Sequence, residues 1–421
     1  MVAVYLSPDV PRWVPETEDD LKAAIDGRLL EENHWLDLKR EIETGRSANR
    51  ELARDLSSFA VDGGVLLVGI EEVDGKLALA PQPLSGLPER VEQVARSIPD
   101  PPLAVVSQAI PCADEPTTGY LVVTVPPSGQ SPHMVDHRYL GRGDKTKMNL
   151  SDAEVRRLHE RRRTTEADVL ELLDVEIARD PIPAATRKNA HLFLVAEPLP
   201  GRDEMLLDFV SGDNWQQRLI ALRDEGVKAA RTLGGKYGFS PDLDSASSQQ
   251  RRSHGAALAT YGLRSGAAVD EKELREQRAI ELEVSEDGQI RIFCGRFSDR
   301  YYSGGDEIHS LFDSAAIVLL RQLLGVVASV ADRAGYLGAW GLGIGATGIK
   351  GLQSYESRKG FWDGPTYQED VYKRVTVANF ADLIQAPGRI TNALLGRLLR
   401  ALATDRRFGD ALHDPEPAPA P

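Results

Sequence analysis

Residues 31–41 read EENHWLDLKRE, and residues 51–75 read ELARDLSSFAVDGGVLLVGIEEVDG. Their periodicities decide the first part of the fold. HWLDLK alternates apolar and polar residues, the period of a half-buried strand. On that period Leu36 and Leu38 face one side, while Trp35, Asp37 and Lys39 face the other. SANRELARDLSSFA reads as an amphipathic helix with Leu52, Leu56 and Phe59 on its inner side and Ser47 as its N-cap. Gly63-Gly64 stops that helix and turns the chain into VLLVGI, a buried strand.

Outward from this strand–helix–strand run, LPERVEQVARSI is a second helix ended by Pro99, Pro101 and Pro102. LAVVSQAI, YLVVTVP and HRYLGR are further strands, and LSDAEVRRLHERRR is a closing helix. The expected class is α+β, with a mixed α/β unit over residues 26–163 behind a Pro- and acid-rich extension, 1–25. A connecting helix and linker cover 164–186, followed by a second α+β domain over 187–410 and a Pro-rich tail, 411–421. In the second domain HLFLVAEPLP is a strand, and NWQQRLIALRDEGVKAARTL is a helix. AIELEVSEDGQIRIFCGRF is a strand pair, and a long helix covers about 309–333. GYLGAWGLGIGATGIKGLQS is a Gly-punctuated strand with small residues where another backbone approaches, and a last helix covers about 388–404.

Composition is that of an ordinary soluble chain, with 42% hydrophobic and 27% charged residues over 421 positions. The most apolar run, AIVLLRQLLGVVASVADRAGY, contains Arg321 and reads as falling short of a membrane span. No basic-then-apolar leader opens the chain, and Cys112 and Cys294 are too few and too far apart for a metal or disulfide framework. A cytoplasmic protein without a membrane partner is expected. The net charge is −14, yet the segment from Arg138 to Arg163 carries nine Lys or Arg against four acids, a local +5. A cationic patch on an acidic chain is a candidate phosphate-contacting surface, with a solvated helix end as the plainer reading.

The acids near the first strand are the candidate chemistry. Glu32 lies where the chain enters the strand, Asp37 lies on it, and Glu71 or Glu72 follows VLLVGI. If the two strands are neighbours, these carboxylates surround one divalent cation, Mg²⁺ or Mn²⁺, and Lys39 steadies a scissile phosphate. The plainer reading is a set of surface acids and a surface ion pair. His133 and His137, in a Pro-containing loop, read as packed or exposed rather than metal-binding. No ATP site is evident, since no G-x-x-x-x-G-K-[ST] occurs. Gly343-Ile344-Gly345-Ala346-Thr347-Gly348 matches G-x-G-x-x-G but lacks a following helix, and close strand packing is the preferred explanation. Trp340, Tyr301, Tyr302, Trp362 and Tyr367 read as core and rim rather than base-stacking platforms.

ENHWLDLK, ELARDLSSFAVDGGVLLVGIEEVDG and VPPSGQSPHMVDHRYLGRGDKTKMNLSDAEVRRLHERR together resemble, in order and spacing, the Schlafen-type AlbA_2 domain over about residues 25–163. The resemblance implies nucleic-acid binding, RNA favoured over DNA. In its sharper form it implies a metal-dependent endoribonuclease acting on tRNA or other structured RNA, with bacterial defence as its setting. Carried over, the metal-binding acids fall on Glu32, Asp37 and Glu71 or Glu72, with Lys39 as the family lysine and Glu72 counted with the catalytic set. Arg138, Arg142, Lys145, Lys147, Arg156 and Arg157 are the expected nucleic-acid contacts. Three positions depart from the family pattern. Val61-Asp62 stands where Asn usually precedes the Gly pair, Asp37 replaces the commoner Glu, and Glu replaces the usual third Asp. A single copy of the domain implies a homodimer, and the unrelated second domain implies partner proteins. The competing function classes are a non-catalytic DNA- or nucleotide-binding regulator and a scaffold subunit of a defence complex.

Overall fold

A computed structural model describes residues 13–199, 204–260, 262–264, 276–303, 305–336, 338–358 and 364–414. Trp362 and most of the Pro-rich tail, from Pro415 on, lie outside the described residues. The chain forms two compact units, one taking in residues up to Arg163 together with 338–339 and the other comprising Thr164–Tyr336 and Trp340–Asp414. Both mix helices and strands, so the chain is α+β.

The first unit contains α1 (Glu18–Asp26), β1 (Leu36–Lys39), α2 (Arg46–Phe59), β2 (Gly64–Val68), β3 (Ile70–Val73), β4 (Lys76–Leu79) and β5 (Gln82–Pro83). It continues with α3 (Leu87–Ser97), β6 (Val106–Pro111), β7 (Thr118–Val125), β8 (Met134–Val135), β9 (Arg138–Arg142) and β10 (Lys147–Asn149). Its main sheet runs β1-β2-β7-β5, with β6 on β7. β1 and β2 are parallel, with Leu36 opposite Val65 and Lys39 opposite Val68, and α2 is their crossover. β2 and β7 are covered on both faces, which is why VLLV and LVVTV are continuously apolar. One face packs on Leu52, Leu56 and Phe59 of α2 and Val91 and Val94 of α3. The other packs on Leu21 and Ala24 of α1 and the β3–β4 hairpin.

Two sequence expectations change here. α1 begins in a capping box, Thr17 with Asp20, and buries Leu21 fully. Residues 17–25 are therefore core of this unit rather than an extension; residues 1–12 lie outside the described residues. Gly45, at φ +108°, leads the chain into α2, so the helix starts at Arg46 and Ser47 lies inside it rather than capping it. Gly69, at φ +101°, ends β2 against the Tyr120 ring and swings the chain out of the main sheet into β3.

A third change concerns α4 (Asp152–Ala178), one 27-residue helix rather than a closing helix and a separate connector. Residues 161–165, RRRTT, hold neither Pro nor Gly to stop it. Its second half is no linker, since Val169 and Leu173 are fully buried in the second unit.

The second unit is built on a seven-stranded sheet. Its order is Ser248–Arg252, Gly255–Ala259, Ile280–Ser285, Ile290–Cys294, His191–Leu199, Ala339–Thr347 and Val371–Asn379. The expected hairpin is present, with Ile280 opposite Cys294 and Val284 opposite Ile290. The glycine-rich strand packs under α4. A Cβ at Gly341 would stand 2.2 Å from Val169, and one at Gly345 would stand 2.9 Å from Ile177. The G-x-G-x-x-G match therefore serves helix–sheet packing. Trp340 is fully buried, as expected of core. Tyr302, in contrast, is 78% exposed. The helix Asp313–Ala334 is long and apolar enough to cross a membrane by length and composition, which the presence of Arg321 had argued against. It is mostly buried and crosses the helix Trp215–Ala229 where Gly226 meets Val326 and Gly325 meets Ala229.

Candidate nucleic-acid interface

The polar face of β1 lies on the same side of the sheet as Leu66 and Val68, beneath α2. There Asp37 and Lys39 meet Asp55, which α2 holds only 4% exposed. Lys39 Nζ stands 3.0 Å from Asp55 Oδ2 and 3.5 Å from Asp37 Oδ2. Arg142 of β9 donates to Asp37 Oδ1 at 2.9 Å, and its guanidinium lies 4.4 Å above the Phe59 ring. Lys147 of β10 donates to Asp55 Oδ1 at 2.6 Å and to Glu51. The result is an alternating row, Arg142–Asp37–Lys39–Asp55–Lys147–Glu51, with no net charge. Burial opposes the charge on Lys39, but Asp55 and Asp37 outweigh it and hold the ammonium above its ordinary pKa.

β1 is an edge strand, and the odd-numbered residues spend their backbone groups on β2. Val65 N–H bonds Trp35 O, and Gly69 N–H bonds Lys39 O. Leu36 and Leu38 therefore point theirs at the open edge, which is closed by a backbone bridge from Asn33 to Leu36 and by side chains. Glu32 Oε1 accepts from Leu38 N at 3.2 Å, and Asn33 Oδ1 accepts from Leu36 N at 3.1 Å. Arg142 donates to the carbonyls of Asn33 and Leu36, each at 3.2 Å. An edge covered in this way cannot pair with another chain.

These contacts revise the expected roles. Glu32 caps a strand edge, and Asp37 is neutralised by Arg142 and Lys39. Glu71 pairs with Arg40 at 3.4 Å. Glu71 and Glu72 are consecutive on β3 and so point to opposite faces, with Glu72 exposed. Among the described residues no three acids, histidines or cysteines stand together as metal ligands. The acids here do not fit a three-carboxylate Mg²⁺ or Mn²⁺ site, because a cation entering at Asp37 would have to displace Arg142 and Lys39.

The cationic segment divides into two groups. Arg142, with 3% of its side chain exposed, is a structural peg; Lys147 is part-exposed and engaged by Asp55 and Glu51. Lys145 is exposed and joined to Glu31 at 2.8 Å. Arg138, Arg156, Arg157, Arg161 and Arg163 remain on the surface. Arg156 meets Asp152 at 2.9 Å, a solvent-exposed and exchangeable pair. The ring contact between Tyr139 and His159 sets the first turns of α4 beside β9. A cavity of 490 Å³ next to β9 and β10 is walled by Arg54, Arg138 and Lys147 against Glu51 and Asp136.

His133 is buried, with Pro101 O 2.6 Å from one ring nitrogen and Ser128 Oγ 2.7 Å from the other, so it is a packing residue as expected. The sequence reading missed Asp55, Glu51 and Arg54. The i, i+4 spacing of Glu51 and Asp55 on one flank of an apolar helix was the available signal. Among known proteins, no family model matches the chain, and no curated protein matches it.

Proposed function

We propose that the first unit is a nucleic-acid-binding module of the Schlafen-type AlbA_2 kind, working in the cytoplasm and gripping structured RNA such as tRNA through its phosphates. The observation that carries the reading is the row of exposed guanidiniums Arg156, Arg157, Arg161 and Arg163 on the first turns of α4, with Arg138 on the neighbouring strand. On a helix, 156 with 163 and 157 with 161 form two stripes about 130° apart, both on the exposed side of α4. Arginine suits phosphate because its donors form a planar fork that an anionic oxygen pair fills. Structured RNA is gripped by shape, phosphates and 2′-hydroxyls, which requires no base-reading element. The reading is of binding without metal-dependent cleavage, because Glu32, Asp37 and Glu71 are committed to Leu38 N–H, to Arg142 and Lys39, and to Arg40, which leaves Glu72 alone exposed among the candidate acids.

The test is fluorescence anisotropy with labelled tRNA and a duplex DNA of equal length. Wild-type chain should bind tRNA more tightly, and Arg157→Glu/Arg161→Glu should weaken binding at least about tenfold. RNA recovered after incubation with Mg²⁺ or Mn²⁺ should be intact. Unchanged affinity in the variant would remove the α4 surface from the account. Metal-dependent cleavage lost in Glu72→Gln, an exposed position, would replace binding with catalysis.

A further inference from the structure

The second unit contains a cleft with two chemically distinct ends. The first is a cavity of 690 Å³ whose wall carries Arg278, Arg296 and Arg300, with Ser240, Ser245 and Thr260 as neutral hydrogen-bonding groups. The one acid in that wall is Asp299, so its charge is +2 in a chain of net −14. Adjoining it, and sharing Ser240, Arg296, Asp299 and Arg300, is a cavity of 420 Å³ lined by Phe239, Tyr301, Phe312 and Tyr355. Those four rings touch one another, with centroids 5.3 Å apart for Tyr301–Tyr355, 5.5 Å for Phe312–Tyr355 and 6.2 Å for Phe239–Phe312. Glu356 also reaches this second cavity, but Arg407 neutralises it.

Arg296 sits where the two ends meet, and its position is built. Its Nε bonds Asp299 Oδ2 at 2.8 Å, a terminal nitrogen donates to Ser240 O at 2.6 Å, and the guanidinium lies 5.4 Å from the Phe312 ring. Among the described residues the Arg300 side chain pairs only with Glu307, in an exposed pair at 3.0 Å. Arg278 is exposed and has no ion-pair partner among the described residues. Two guanidiniums with spare donors beside a fixed third favour a phosphoryl group. A wall of contacting aromatic rings next to it favours a planar π-system.

We propose that this cleft is a binding site for a free nucleotide, with its phosphates on Arg278, Arg296 and Arg300 and its base against Tyr301, Phe312 and Tyr355. Each cavity lies within the roughly 300–1,000 Å³ of small-ligand sites. A bare phosphate would leave the aromatic end unused, and a nucleoside would leave the arginines unused. The site is independent of the nucleic-acid surface proposed for the first unit.

Equilibrium dialysis of the full chain tests it, using the four common ribonucleoside triphosphates and monophosphates, the matching nucleosides and inorganic pyrophosphate as probes. At least one nucleotide should bind saturably, with its nucleoside and pyrophosphate each at least about tenfold weaker. Arg278→Ala and Arg300→Ala alter exposed residues, and each should weaken the nucleotide about tenfold. Tyr355→Ala should weaken the nucleotide while leaving pyrophosphate binding unchanged. The proposal is overturned if no nucleotide binds at about 1 mM, if both arginine variants bind as wild type does, or if nucleoside binds as tightly as nucleotide. It is equally overturned if Arg157→Glu/Arg161→Glu in α4 abolishes nucleotide binding, which would place the ligand on the other unit.

Discussion

Replacing Arg142 with alanine separates two descriptions of this residue, a phosphate contact and an internal peg. In the structure Arg142 holds Asp37, closes the carbonyls of Asn33 and Leu36 and covers Phe59, with 3% of its side chain exposed. Alanine leaves Asp37, itself only 14% exposed, facing Lys39 alone at 3.5 Å. Removing one partner of a buried ion pair costs about 3–5 kcal/mol; the carbonyls of Asn33 and Leu36 each keep a backbone N–H, at 3.4 and 3.0 Å, and add little to it. At a urea slope of about 2 kcal/mol/M, the first unit's midpoint falls by about 1.5–2.5 M. Because two units can unfold separately, urea titration is combined with hydrogen-exchange mass spectrometry on peptides covering β1, α2 and β9. The double variant Asp37→Ala/Arg142→Ala should cost less than the sum of the single changes by about 1–3 kcal/mol. A loss below about 1 kcal/mol for Arg142→Ala, with no faster exchange at β1, would refute the peg.

Two further predictions concern pH in the second unit. His191 is buried between Asp180, 2.7 Å from Nδ1, and Glu276, 2.8 Å from Nε2; burial opposes its charge, but the two carboxylates outweigh it and raise its pKa above 6.5. Its stabilisation is thus complete below pH 6.5 and is lost as pH rises through the higher folded value, and urea midpoints for His191→Gln should lack that decline. Asp313 is fully buried at the start of its helix, and burial pushes its carboxyl up to about 6 despite hydrogen bonds from Ser354 at 2.9 Å. The folded state therefore holds a proton that the unfolded state releases between pH 3.8 and about 6. As pH rises across that window stability should fall by about 3 kcal/mol, because each pH unit separating the folded and unfolded values is worth about 1.36 kcal/mol. Asp313→Asn should flatten the fall, and a variant with the wild-type profile would contradict the assignment.

The parts of the fold legible in the sequence were those with strong local periodicity. Leu36 and Leu38 against Asp37 and Lys39, the Leu52–Leu56–Phe59 face and the hairpin around residues 286–289 all appear where their periods place them. The unity of α4 was less legible, because between Leu158 and Val169 its inner stripe carries Arg162 and Thr165, polar residues that interrupt the apolar pattern. The site was legible in residue type but not in partnership. Asp37 and Lys39 do lie on one strand face, yet Asp55 and Arg142, which decide their state, are 18 and 105 residues from Asp37 in the chain. Glu32 reads as a candidate ligand because its use at Leu38 N depends on β1 being an edge, a property of topology.

The salt dependence of tRNA binding tests the central claim most directly. If Arg138, Arg156, Arg157, Arg161 and Arg163 each contact a phosphate, log K against log salt should have a slope of roughly −3.5 to −4.5. Arg157→Glu/Arg161→Glu should make it shallower by about 2. A flat dependence, or a slope the variant leaves unchanged, would contradict the claim that these arginines hold nucleic-acid phosphates.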